Sequence, residues 1–320
     1  MRHARQRGIA LLVAIVMFAI ATTVAAAITY NKAMAARRAA ASFALEQALQ
    51  AGMAAEALAA IALEDDGKNA KTSPDKDWAQ PFGPVEIEGT GIWIQGQVED
   101  LTARFNLNTL VKWDGPPNNH FIVNPEQLEV FRKLLQWLKV DPNYADLLVD
   151  WIDTDTAPQA TQGGEDTLYL TQTPPYRPPN TFIVHPSELL ALPGLGAEKY
   201  ALVEPYITAL PIDVKTNPCT ASGLVLDVTM NDPTNDQEFQ LQDMPALRKS
   251  GCYPTAQVFS ARINDPNRKT LADARIEEKS SWFRLRTNIR IGTAEFVLYS
   301  VLFRQQNNRV RTVQRSFGSE

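Results

Sequence analysis

Residues that carry chemistry are scarce in this 320-residue chain. It has two cysteines and three histidines, and no C-x-x-C pair, P-loop, nucleophile elbow or zincin helix. The histidines are His3, in the basic N-terminal stub, and His120 and His185, neither of which is expected to have a serine or cysteine nucleophile nearby. Enzyme chemistry is therefore not expected. Positive charge is short as well: 31 Lys and Arg face 36 Asp and Glu, for a formal net charge of -5. That balance disfavours a nucleic-acid surface, which needs a basic stripe.

Two further absences are positional. No charged residue occurs between Arg7 and Lys32, and no proline occurs from Ala33 through Leu63, where the single glycine is Gly52. The first describes an apolar helix. Residues 9–30 would extend about 33 Å at about 1.5 Å per residue, enough to cross a hydrocarbon core of about 30 Å. Three arginines precede it (Arg2, Arg5, Arg7), and by the positive-inside bias they keep the N-terminus cytoplasmic and send the rest across. The second absence lets the helix run on through alanine-rich sequence to Glu64-Asp65-Asp66-Gly67. An alternative is a secretory signal peptide, with Ala25-Ala26-Ala27 as its cleavage motif and a mature start at Ile28.

Beyond the helix the pattern changes twice. Val85 to Phe105 alternates in part, as a strand does, and runs into Ala103-Arg104-Phe105-Asn106-Leu107-Asn108, locally a strand ending in an asparagine turn. Leu128, Phe131, Leu134, Leu135 and Leu138 then recur at helical spacing behind Asn124-Pro125, and a second helix is expected from Pro142 to about Asp153. Past Leu210 the chain is read as strand and loop. From Phe283 the positions Leu285, Thr287, Ile289 and Ile291 alternate with Arg284, Arg286, Asn288 and Arg290, the start of an antiparallel meander that turns at Gly292 and again at Asn307-Asn308.

Carboxylates cluster in two loops. Asp153, Asp155, Glu165 and Asp166 are one set, and Asp227, Asp232, Asp236 and Glu238 another. Oxygen-rich loops suit a hard cation such as calcium, although neither has EF-hand spacing; solvated, turn-forming acids are the alternative. Cys219 and Cys252, 33 apart on the translocated side, favour a disulfide. Two decoys are set aside: Gly163-Gly164-Glu165-Asp166 lacks the flanks of a cyclase signature, and Leu192-Pro193-Gly194-Leu195-Gly196 is read as a tight turn between packed helices, not a phosphate-binding hairpin.

A basic leader ending in Gly8, followed at once by the apolar helix, resembles the N-terminus of type IV pilins and type II secretion pseudopilins. That resemblance implies cleavage by a prepilin peptidase between Gly8 and Ile9 and N-methylation of Ile9. Such sequences carry glutamate at the fifth mature position; here Val13 stands there. The segment Ala103 to Asn108 and the ordered block Asp150-Trp151-Ile152-Asp153-Thr154-Asp155, Gly163 to Asp166 and Pro174-Pro175-Tyr176-Arg177-Pro178-Pro179-Asn180 are similar to the K class of minor pseudopilins. The resemblance implies an α+β fold: a long N-terminal transmembrane and assembly helix on an antiparallel, pilin-like sheet, with a large all-α insert. It implies a leader (1–8), the helix (9–66, membrane part 9–30), pilin-like parts at 67–105 and 211–320, and the insert at 106–210. It also implies calcium, association with minor pseudopilins of the I and J classes at a periplasmic fibre tip, and an inner-membrane secretion platform as partner. A type IV pilus minor pilin, which would lack the 150–180 block, is the other pilin-like reading.

Overall fold

The structure, a computed structural model, describes residues 7–116, 120–155, 157–159, 163–231, 239 and 243–318. Helix α1 runs from Arg7 to Asp66 without interruption, roughly 90 Å at about 1.5 Å per residue. Its apolar first part is the one helix among the described residues long and apolar enough to cross a membrane. The second part buries Ala48, Ala51, Ala55, Ala59 and Leu63, a stripe at intervals of three and four that defines one helix face. Small residues on that stripe bring the helix close to what it packs on. A Cβ on Gly52 would sit 2.3 Å from Leu298 Cδ2.

Strands β1 (Phe82–Ile87) and β2 (Ile92–Asp100) follow, and the chain then leaves the sheet. The excursion contains β3 (Phe105–Asn106), β4 (Val111–Trp113), β5 (Phe121–Val123), α2 (Pro125–Trp137), α3 (Tyr144–Ile152), α4 (Asp166–Tyr169), α5 (Gly196–Val203) and β6 (Ile207–Thr208). It has its own core, with Phe131, Leu134, Leu135, Leu148, Ile152 and Tyr169 fully buried. The two helices expected here are present, α3 beginning two residues after Pro142.

The stretch after Leu210 departs from the expectation of strand and loop. It forms short helices α6 (Gly223–Met230), α7 (Met244–Leu247), α8 (Ala256–Ala261) and α9 (Pro266–Asp273) around a third core that includes Leu226, Met230, Phe239 and Phe259. Each is four to eight residues long, too short for periodicity to stand out, and their signals are local caps. Ser222, Thr255 and Asp265 accept hydrogen bonds from the first turns of α6, α8 and α9.

The chain re-enters the sheet only at β7 (Trp282–Ile291), followed by β8 (Ala294–Arg304) and β9 (Val310–Phe317). The strand order is β1-β2-β7-β8-β9, antiparallel throughout, so the long excursion leaves from β2 and returns beside it. Alternation fixes which side meets α1. Phe283, Leu285, Thr287 and Ile289 are buried against the helix side, while Arg284, Arg286, Asn288 and Arg290 point the other way. Gly292, at φ +60°, makes the β7–β8 turn.

Candidate assembly surface, insert neck and acidic loop

Along α1 the stripe that meets the sheet is one side only. Phe43, Met53, Leu58 and Ile61 stand on the other sides at 63%, 42%, 52% and 66% exposure, large apolar side chains with nothing of this chain over them. They continue the surface of the membrane part, where Ile9 and Val13 are exposed too. Gly8 lies in the first turn of α1; Met1 to Gln6 of the leader lie outside the described residues. With Val13 in place of a carboxylate, the apolar segment 9–30 contains no acid.

Two ion pairs hold this helix to the sheet, one of them fully buried. Arg304 on β8 donates to Asp66 Oδ2 at 2.8 Å, to the Leu63 carbonyl at 2.9 Å and to Thr72 Oγ1 at 2.7 Å. Both charged side chains are 2% exposed. One helical stretch earlier, Glu56 accepts from Arg315 Nε and Nη2, both at 2.7 Å, and from Ser300 and Thr312 hydroxyls. Burial pushes the Glu56 carboxyl up, but the bonds from Arg315, Ser300 and Thr312 outweigh it and hold the group below its ordinary value.

The segment Phe105-Asn106-Leu107-Asn108 forms the neck of the insert. Its outgoing strand β3 pairs in parallel with the returning β6, Phe105 against Ile207 and Asn106 against Thr208. Both asparagines are buried and reach across the two passes. Asn106 accepts from Leu210 N at 3.0 Å and donates to the Pro211 carbonyl at 2.8 Å. Asn108 accepts from Ile183 N at 2.8 Å and donates to the carbonyls of Ile183 and Leu210. The sequence showed a strand ending in an asparagine turn, but not the long-range half of this clasp, whose partners lie 75 to 105 residues away.

Beyond the neck lies the first acidic loop. Of the four acids expected together, three converge: oxygens of Asp153, Asp155 and Glu165 lie within 4.8 Å of one another. Asp166 does not join them. It starts α4, and its carboxylate pairs with Arg177 at 2.8 Å. Asp150, which sequence reasoning left out of the set, belongs beside it, one helical turn before Asp153. Its carboxylate accepts from Gln159 N at 2.9 Å and Gly164 N at 2.7 Å and so folds the loop back over α3. The i,i+3 spacing of Asp150 and Asp153 was the available signal.

No cation among the described residues forms an ion pair with this cluster. Asp153 is 1% exposed and Glu165 6%. Asp153 Oδ1 and Glu165 Oε1 have no hydrogen-bond partner among the described residues. Burial and then the neighbouring acids push Asp153 up to about 8 and Glu165 up to about 7. Asp150 rises to about 6, again chiefly by burial. Orphaned buried oxygens on hard, convergent carboxylates are what a divalent cation would satisfy. Of the second set, Asp227 is buried and accepts from Phe239 N at 2.9 Å; Asp232, Asp236 and Glu238 lie outside the described residues.

Cys219 and Cys252 form a disulfide. Arg248 braces it from both sides, donating to the carbonyls of Tyr253, Pro218 and Ala221. One expectation about histidine is corrected. His185 does have a serine beside it, with Nδ1 2.8 Å from Ser187 Oγ, although the group is a capping box: Ser187 N donates to the ring and Glu188 accepts from His185 N.

The geometry of helix, sheet and insert agrees with that of known proteins. Residues 103–212, the neck and insert, match the family model described as "Type II secretion system (T2SS), protein K". Type II secretion system protein K of Pectobacterium carotovorum subsp. carotovorum is 31% identical over 99% of this chain and 98% of its own length. The protein of that name from Pseudomonas aeruginosa is 29% identical over 98% of this chain and 93% of its own. The fold is similar to a chain of "the GspK-GspI-GspJ complex from enterotoxigenic Escherichia coli Type 2 Secretion System", with a TM-score of 0.74 and 22% identity, over 88% of this chain and all of that one. By its match along nearly the whole length of a relative, the chain belongs to the type II secretion system protein K family.

Proposed function

We propose that this chain is a structural, non-catalytic subunit at the tip of a periplasmic pseudopilus, where it assembles through α1 with one I-class and one J-class minor pseudopilin. The observation that carries this reading is the uncovered apolar side of α1. Phe43, Met53, Leu58 and Ile61 extend the character of the membrane segment about 30 residues beyond it, a surface suited to packing against other helices. The complex named for the structural neighbour supplies the partner classes. Val13 fits a tip position, because a carboxylate in an apolar bundle needs a neighbour's cation and a subunit with no neighbour above it has none. The bulk of the insert, beside the sheet, would cap the fibre rather than stack within it.

In this reading α1 first spans the inner membrane with its N-terminus cytoplasmic, and prepilin peptidase cuts between Gly8 and Ile9, with methylation of Ile9 following. The secretion platform would then extract the helix into the fibre. Mass spectrometry of the mature N-terminus separates this from the signal-peptide alternative: methylated Ile9 supports it, and a start at Ile28 ends it. Co-expression with the I- and J-class subunits tests the surface. Met53→Asp with Leu58→Asp should reduce recovery of the complex by about tenfold or more, the effect of losing about 1.4 kcal/mol; unchanged recovery would sink the helix-mediated reading.

Calcium is part of the same proposal. Asp153, Asp155 and Glu165 would hold it, with Asp150 anchoring the loop, and the support is the pair of buried oxygens without partners. When bound, the ion would supply the positive charge that the loop lacks and fasten it onto α3.

A further inference from the structure

The sheet has a second face that this chain leaves partly open, and its composition is not that of a solvated surface. Looking across the strands from the side opposite α1, β2 contributes Trp93, Gln95 and Gln97, β7 contributes Arg286, Asn288 and Arg290, and β8 contributes Val297 and Tyr299, all in register. Arginine and aromatics are the residues enriched at protein interfaces, and lysine, the usual solvating cation, is absent from these positions.

The arginines are arranged rather than loose. Arg290 lies 5.7 Å over the ring of Trp93, Arg284 lies 5.9 Å over Tyr299, and Arg311 on β9 lies 5.6 Å over Phe303. A guanidinium stacked on a ring keeps its donor edge free while its rotamers are restricted. Arg286 and Arg290 are exposed and make no ion pair among the described residues. The cross-strand neighbours of Arg286 are Gln97 and Tyr299, both neutral. The carboxylates of this face are Glu295 on β8, directly across from Arg290 but not ion-paired with it, Glu86 on β1 beyond Trp93, and Glu99, already shared by Arg104 and Arg284.

At the insert end this face runs into a groove of about 460 Å³ between insert and sheet. Phe182, Val184, Leu210, Val301 and Val313 are among its walls, and Val184 is 69% exposed at the insert side. The two features lie on one surface: Val301 on the groove wall pairs with Arg284 on β7, one outward position from Arg286.

We propose that this face docks an acidic polypeptide segment of another protein, with carboxylates on Arg286 and Arg290 and one large apolar side chain in the groove. The complementarity is local. A chain with net charge -5 presents Arg286 between neutral neighbours, and beside it Arg290 stacked on Trp93, next to an apolar slot, which selects a partner that is acidic and carries an anchor. The surface lies on the opposite side of the sheet from α1, so it is separate from the helix-mediated assembly proposed above and would remain free when that assembly is formed.

The test uses the full chain in non-ionic detergent micelles and a fluorescently labelled synthetic peptide of glutamates with one central leucine, read by anisotropy against micelles alone. The peptide should bind, more weakly at high salt, and should lose affinity when its leucine is replaced by glutamate. Arg286→Glu with Arg290→Glu should weaken binding at least tenfold, and Gln95→Glu, a milder change on the same face, should weaken it less. Lys249→Glu, an exposed cation on the unit between residues 211 and 281, should leave it unchanged. No binding, equal weakening by Lys249→Glu, or binding of a lysine-rich counterpart that is strengthened less than twofold by the double arginine variant would overturn the proposal.

Discussion

The helix-and-sheet frame and the insert bury acidic groups in opposite ways. In the frame, Asp66 meets Arg304 and Glu56 meets Arg315, each within 2.8 Å, with the Thr72 hydroxyl donating to Asp66 and the Ser300 hydroxyl to Glu56. In the insert, Asp153 and Glu165 are as deeply buried but face only other acids, and each keeps an oxygen without a partner among the described residues. Between the two regions sits Asp100, fully buried at the end of β2. Burial raises its pKa, yet Thr102, Thr220 and Ser280 all donate to it. These frame acids are therefore met by cations of the same chain, whereas the insert's acids have no such cation among the described residues.

The most direct way to break the comparison is to make the frame resemble the insert. Arg304→Met leaves Asp66 buried beside a thioether and should cost about 3–5 kcal/mol, the penalty of stranding a buried charge. Urea unfolding of the full chain in detergent reads it. The double variant Asp66→Asn with Arg304→Met should recover part of that loss, and a single variant costing under about 1 kcal/mol would show that the pair is not what closes the frame.

Slightly smaller is the effect of opening the helical unit that follows the insert, where closure is covalent. Cys219→Ser with Cys252→Ser releases a loop of 33 residues, worth about 3–4 kcal/mol in the loop-entropy account. The loss should appear first as faster hydrogen exchange in α6 and α8, with the sheet protected. Exchange rising equally everywhere would mean that the unit and the frame unfold as one.

What sequence could show follows the same division. The frame was legible because its determinants are periodic: apolar residues at two-residue spacing in β7, small residues at three and four in α1, and glycine at the Gly292 turn. The insert's two longer helices were legible for that reason too. The clasp made by Asn106 and Asn108 was visible only as a local turn, because its partners are Ile183, Leu210 and Pro211 across the neck. The helices between residues 211 and 281 were hidden by shortness, and their core is gathered by a disulfide and by Arg248 rather than by a repeating pattern. In the acidic loop, composition pointed to the place but not the membership. Asp166 turns to Arg177 and Asp150 takes its position beside the cluster, choices set by the backbone of the loop.

Adding the missing charge to the insert sharpens the comparison from the other side. Asp150, Asp153 and Glu165 in the folded, metal-free protein titrate near 6, 8 and 7, well above where the unfolded chain releases the same protons, near 4. Below about pH 4 both states hold these protons and no penalty exists. As pH rises from about 4 to about 8 the unfolded state has released protons that the folded state still binds, so stability falls across that window. The proposed calcium would bind the ionised form, and at a hundredfold excess over its Kd would restore about 2.7 kcal/mol. Thermal scans with calcium against chelator should therefore differ by several degrees at pH 8 and by little at pH 5, and equal curves at both pH values would remove the cation from the insert.

The smallest effect is the most diagnostic, because it has opposite signs in the two regions. Glu56→Gln deletes a charge that Arg315, Ser300 and Thr312 stabilise, and should destabilise the frame by about 1–2 kcal/mol at pH 8. Asp153→Asn deletes a charge that its surroundings oppose. The variant should therefore be more stable by about 1 kcal/mol in chelator at pH 8, a gain that should vanish at pH 4, where the aspartate is already neutral. In calcium the sign should reverse if the proposed site is real, because the variant would lose a ligand and with it the stabilisation that binding would bring. A chain whose Asp153→Asn variant is less stable in chelator at pH 8 would have a partner for that carboxylate within itself, and the insert would then be closed in the same manner as the frame.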